Sequence, residues 1–175
     1  MNLNTRTSTD TDSSSDPQTG KMHRKKLSLT KVAENIYMGA IGLSAEYRVL
    51  KENNIKYVLN LTNSIVQIDP NSGINCLNQT LHSQDFCSFM KMIPKCVSFI
   101  EKAIQERKNI AICCRDGYSR TFTVLTAYYI LKYNKDYHTV SDQLKLSVPE
   151  FSYWGSTKYK PALSQMYNII KDNRH

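Results

Sequence analysis

No stretch of this sequence approaches the ~18 consecutive apolar residues that a membrane-spanning helix needs. Its polar N-terminus does not read as a signal peptide. Neither a membrane nor the secretory route is therefore expected. No Cys-x-x-Cys occurs. The five cysteines, Cys76, Cys87, Cys96, Cys113 and Cys114, are odd in number and irregularly spaced. That argues against a disulfide framework and a zinc site, and predicts a reducing compartment, cytoplasm or nucleus. In such a compartment the Asn-x-Thr sites at Asn60 and Asn78 would stay unmodified. Acidic residues are scarce, 15 Asp and Glu against 23 Lys and Arg, which leaves a formal charge of +8. A basic chain invites a nucleic-acid reading, but no basic–aromatic interleaving supports one. A basic surface equally suits a phosphorylated substrate. No metal or organic cofactor is implied.

What is present divides in two. Residues 1–26 are rich in Ser, Thr and Asp, and end in the basic cluster Lys21 to Lys26. They read as a disordered polar tail. Residues 27–175 read as one domain, long enough to bury a core without staples. Strands are expected at Ile36–Met38, Tyr57–Leu61, Ile74–Leu81 and Ile110–Cys114. Helices are expected at Ser44–Asn53 (with Ser44 as N-cap), Phe89–Arg107, Phe122–Leu131, His138–Leu146 and Lys158–Ile170. This alternation predicts an α/β fold with a central, mostly parallel sheet flanked by helices.

The chemistry concentrates between Asn109 and Tyr133. An apolar strand, Ile110 to Cys114, is followed by Arg115-Asp116-Gly117-Tyr118-Ser119-Arg120 and then a long apolar helix. A tight loop before a helix N-terminus turns backbone N–H groups into one concavity, and the helix dipole makes that concavity an anion cradle. Cys114 at its rim would be stabilised as a thiolate and become a nucleophile. Arg120 could fork onto two phosphate oxygens. Gly117 supplies backbone freedom. Ser119 could donate to the sulfur. The competing reading makes Cys114 a buried strand cysteine and Arg120 a solvated helix residue.

Cys114 to Arg120, followed by Thr121, resembles the His-Cys-x-x-Gly-x-x-Arg-Ser/Thr loop of cysteine-dependent phosphatases. Ala33 to Gly39 and Asn54 to Thr62 resemble two strand blocks of the small dual-specificity phosphatases, in family order. The resemblance covers Leu27 to about Ile170. It implies a protein tyrosine phosphatase-like fold and hydrolysis of phosphomonoesters, on phosphotyrosine, phosphoserine or phosphothreonine of proteins, through a phosphocysteine intermediate, with no cofactor. The phosphate would be held by Arg115, Asp116, Gly117, Tyr118, Ser119 and Arg120.

Three departures bear on activity. Cys113 stands where the family has histidine. Asp116 puts a carboxylate in the anion cradle, although the loop then resembles that of myotubularin-type lipid phosphatases. The family's general acid, an aspartate about thirty residues before the nucleophile, has no direct counterpart. Gapless counting places Ser83 or Gln84 there, and a loop two residues shorter brings Asp85 to that place. Asp85 is the first candidate, with a helix-terminal role as its alternative. Asp116, with a raised pKa, is the second. A catalytically weak relative that binds phosphorylated partners, and a phosphoinositide or RNA 5′-phosphatase, stay open beside the protein phosphatase. Adjacent Cys113 and Cys114 also suggest sensitivity to peroxide. Phe151, Tyr153 and Trp154 would either rim the pocket or pack against the last helix.

Overall fold

A computed structural model describes residues 28–40, 42, 46–81, 85–154 and 158–173. The chain order is β1 (Thr30–Ala33), β2 (Ile36–Ala40), α1 (Tyr47–Glu52), β3 (Ile55–Asn60), β4 (Asn75–Asn78), α2 (Phe86–Gln105), β5 (Asn109–Cys114), α3 (Ser119–Tyr133), α4 (Tyr137–Ser147), α5 (Phe151–Trp154) and α6 (Lys160–Asp172). The strands form one sheet in the order β1-β2-β5-β3-β4. Only the β1–β2 hairpin is antiparallel; β2–β5, β5–β3 and β3–β4 run parallel. The expected α/β sheet is therefore present, with β5 at its centre.

β5 explains why a short apolar run becomes a central strand. Ile110, Ile112 and Cys114 face the larger core, which α2 and α3 cover, while Ala111 and Cys113 face the smaller core beside α1. Both faces are buried, so the strand is apolar throughout rather than alternating. This pleat also separates the two thiols. Cys113 packs with Leu50 and Val58, on the face of the sheet opposite Cys114.

α2 carries Phe89, Ile93, Cys96, Ile100 and Ala103 along one buried stripe. That spacing follows the helical period, and burial of each large side chain contributes roughly 1.5–3 kcal/mol. Pro94 lies on the exposed side, where water can take up the carbonyl it leaves unpaired. Tyr57 donates from its hydroxyl to Glu106 at 2.6 Å, tying β3 to the end of this helix.

Several boundaries differ from expectation. β1 is additional to the expected strands: Thr30–Ala33 carries too few residues to show a period, and its pairing with β2 decides it. α2 begins at Phe86, because Asp85 accepts the Ser88 amide at 2.9 Å and starts the helix there. α1 begins at Tyr47 after Glu46, which makes no side-chain cap. The expected N-cap, Ser44, and the expected tail lie outside the described residues. Phe151 is fully buried against Phe122, at a 5.2 Å ring separation, so it belongs to the core rather than a pocket rim. Tyr153 is 85% exposed.

Candidate active site

Cys114 ends β5, and the chain turns at once into α3. Gly117 makes that turn possible. Its φ is +89°, and a Cβ there would lie 3.1 Å from the backbone of Gly39 and Ala40 at the end of β2. Any side chain would meet both an unfavourable backbone region and a wall. The loop is thereby pressed against the end of β2.

A cavity of about 190 Å³ opens at this place, lined by Leu81, Cys114, Arg115, Asp116, Ser119, Arg120, Lys158 and Tyr159. It sits at the carboxyl end of a central parallel strand, where ligands bind in such sheets. The structure thus brings together Cys114, Arg115, Asp116, Ser119 and Arg120 as the sequence predicted, with Gly117 and Tyr118 in the same loop. Asp85 is placed instead at the N-cap of α2, four residues beyond the pocket-lining Leu81. Ser83 and Gln84 lie outside the described residues.

Burial and two neighbouring side chains act on the thiol. It is 1% exposed, and burial pushes its pKa above the ordinary thiol value. Thr121 donates from Oγ1 to Sγ at 3.5 Å, which works the other way. Asp116, whose Oδ1 accepts from Sγ at 3.3 Å, holds the proton on the sulfur. The expectation of a depressed thiol pKa is therefore corrected: burial first, and the Asp116 carboxylate after it, hold the thiol above its ordinary value against the pull of Thr121. The hydroxyl on the sulfur is also corrected, from Ser119 to Thr121. Two residues along α3 is rather more than half a turn, so Ser119 and Thr121 point to different sides of the helix and only Thr121 meets the sulfur. The Ser/Thr position that closes the loop pattern was the signal for it. Cys113 is buried against the other face, which pushes its thiol up to about 12.

Asp116 is corrected in the same way. Its Oδ1 accepts the Tyr118 amide at 2.8 Å and the Ser119 amide at 3.1 Å. Burial raises its pKa, but these amides and the thiol outweigh that, and the carboxyl lies below its usual value. It is held ionised, not protonated.

Arg120 is anchored from outside the loop. Its Nη1 donates to the Leu61 carbonyl at 3.0 Å. That carbonyl sits in a turn built on Asn60, which is fully buried. Asn60 accepts from Thr62 N and Thr62 Oγ1 at 3.1 and 2.9 Å. It donates to Ser64 O and Asn78 Oδ1 at 2.6 and 2.8 Å. The sequence offered no sign of Leu61, which acts through its backbone. It did offer one for Asn60: a polar residue ending the buried run Tyr57-Val58-Leu59 must find partners. Lys158 and Tyr159 also line the cavity without having been singled out. Tyr159 stacks on Phe89 at 5.9 Å, so its place is set by core packing.

No group of three or more His, Cys, Asp or Glu able to hold a metal exists among the described residues. No helix there is long and apolar enough to cross a membrane.

Comparison with known proteins gives a consistent picture. The sequence model for the family described as "Dual specificity phosphatase, catalytic domain" matches residues 36–169. Human dual specificity protein phosphatase 6 is 29% identical over 125 residues, covering 69% of this chain and 33% of its own length. The chain thus spans about a third of such curated relatives. Among solved structures, human DUSP28 superposes with a TM-score of 0.67 at 15% identity, covering 82% of this chain and 95% of that one. PTPMT1 in complex with PI(5)P superposes with a TM-score of 0.63 at 14% identity, covering 84% and 99%. At these identities the solved structures speak for the fold.

Proposed function

This chain belongs to the dual specificity phosphatase catalytic-domain family, and we propose that it is a cysteine-dependent phosphatase acting on phosphomonoesters of proteins. One observation carries the reading: Cys114 and Arg120 share a small cavity over the N-terminus of α3, and each has a built partner, Thr121 for the sulfur and the Leu61 carbonyl for the guanidinium. Phosphoryl transfer asks for positioning and for stabilisation of charge on the equatorial oxygens, and this arrangement supplies both.

In the first step the Cys114 thiol passes its proton to an oxygen of the incoming phosphate dianion, and the thiolate forms a sulfur–phosphorus bond as the ester oxygen–phosphorus bond breaks. Arg120 and the loop amides hold the three equatorial oxygens, and the departing oxygen takes a proton. In the second, water attacks phosphorus, inorganic phosphate leaves, and the thiolate returns with Thr121 donating to it. The proposed proton donor is Asp85, which must release the Ser88 amide to reach the cavity. The five free cysteines support a reducing compartment, cytoplasm or nucleus, as part of this reading.

Turnover of an activated aryl phosphate tests it. Cys114→Ser should abolish turnover, while Cys113→Ser, altered on the opposite face of β5, should retain most of it. The reverse pattern would move the nucleophile. A second reading has a specific observation behind it: Asp116 in the loop and Cys113 in place of histidine suit a catalytically weak relative that binds phosphorylated partners. Under that reading no phosphoester is turned over, and a phosphopeptide binds in an Arg120-dependent way. Running phosphotyrosine and phosphothreonine peptides beside a phosphoinositide and an RNA 5′-phosphate identifies the substrate class.

A further inference from the structure

The Oδ1 atom of Asp116 makes an unusual set of contacts. It lies 3.3 Å from the nucleophile's sulfur and accepts hydrogen bonds from two successive loop amides, those of Tyr118 and Ser119. A phosphoryl oxygen in the enzyme–substrate complex would need the same neighbours: loop N–H donors on one side and the attacking sulfur on the other. We propose that Asp116 is a built-in occupant of the phosphate cradle, its carboxylate oxygen standing where a substrate's phosphoryl oxygen goes, so that phosphate binds only as this side chain leaves. The proposal rests on the phosphatase reading of the loop and assigns Asp116 a specificity-determining role within it.

The alternative is an ordinary capping aspartate. Capping explains the two amide bonds, since Asp readily takes N–H groups two and three residues ahead. It does not explain why the same oxygen also meets Sγ. The cavity's own charges explain why it can stay. Cys114 comes from β5, Arg115 from the loop, Arg120 from α3, and Lys158 and Tyr159 from the segment before α6. Three of these are cations, and Asp116 is the one carboxylate among the described residues that line the space. An empty cradle with those cations would draw in any small anion; a tethered carboxylate sets a threshold against weak ones. Asp116 is itself exposed at the loop surface, so its side chain has solvent to move into when phosphate displaces it.

The consequences run opposite to those of a general acid. A general acid contributes its proton and its loss lowers turnover; a resident anion competes, and its loss raises anion affinity and frees the thiol. Sulfate is a suitable probe, because its charge does not change between weakly acidic and neutral pH. Binding of sulfate to the full-length protein should be measured for the parent, Asp116→Asn and Asp116→Ala by calorimetry. Removal of one charged competitor for two amide donors should tighten sulfate binding about tenfold in both variants at neutral pH. Iodoacetamide should alkylate Cys114 faster at neutral pH in Asp116→Asn than in the parent.

Asn keeps the capping oxygen, so that variant folds if capping is the structural need. Equal sulfate affinity in all three proteins overturns the proposal. A parent that turns over aryl phosphate while its variants bind sulfate no tighter defeats this proposal alone. Tighter sulfate binding without any turnover defeats the enzyme reading alone.

Discussion

Replacement of Asn60 by alanine should damage both stability and catalysis, and the structure says how far. The amide side chain makes four hydrogen bonds. Two of its partners, Ser64 and Asn78, are exposed, so water can replace the lost donor there. Thr62 is 6% exposed, and its backbone N–H would be left in the interior without an acceptor. An unsatisfied buried donor costs about 1–3 kcal/mol, and the truncated side chain removes some packing as well. A total near 2–3 kcal/mol should lower the melting temperature by roughly 5–10 °C in a chain of this size. The catalytic effect follows from the next residue. Leu61, between Asn60 and Thr62, offers its carbonyl to Arg120. A loosened turn lets the guanidinium wander, and a displacement near 1 Å can cost on the order of 10²-fold in rate. The loss should appear in kcat/KM for an aryl phosphate and in the affinity for sulfate. Thermal unfolding and steady-state kinetics on the same preparation check both parts. A variant that melts early but keeps parental kcat/KM would show that the Leu61 carbonyl does not position Arg120. A variant with an unchanged melting temperature would refute the hydrogen-bond accounting itself.

Other outcomes follow from single contacts. Gly117→Ala forces a side chain into a φ of +89° and against β2; it should destabilise by about 1–3 kcal/mol and abolish turnover, both visible by calorimetry and an aryl phosphate assay. Thr121→Val keeps the volume but removes the donor to Sγ, so breakdown of the phosphocysteine should slow more than its formation, and a burst of released phenol should become visible in rapid-mixing kinetics. Asp85→Asn preserves the cap, since asparagine caps as well as aspartate, yet removes the proposed acid. Hydrolysis of a phosphothreonine peptide should then fall far more than that of an activated aryl phosphate, and equal effects would assign Asp85 to capping α2 alone. Its carboxyl lies below the usual value because it accepts the Ser88 amide, so it is protonated only at acid pH. The acid contribution to alkyl ester hydrolysis should therefore be largest at low pH and decline as pH rises through that lowered value.

The loop and its order in the chain were legible in the sequence because they depend on local chemistry. An apolar run ending in Cys114, a glycine that can take positive φ, and Arg120 at a fixed spacing specify a strand, a tight turn and a helix start without reference to anything distant. The same holds for the stripe on α2, whose period survives any packing partner, and for the parallel sheet that strand–helix alternation demands. What the sequence could not contain is direction in space. Whether Ser119 or Thr121 reaches the sulfur depends on how α3 leaves the loop, and whether Asp116 points to water or inward depends on which amides are unclaimed. The anchor of Arg120 is a backbone carbonyl, present at every position and therefore without a signature. β1 is a strand only because β2 offers it an edge. Cys113 and Cys114 are neighbours in the chain, but the pleat of β5, a period of two, puts them in different cores. Sequence determined which residues would share the loop; tertiary packing decided their orientations, and with them the contacts that act on the Cys114 thiol.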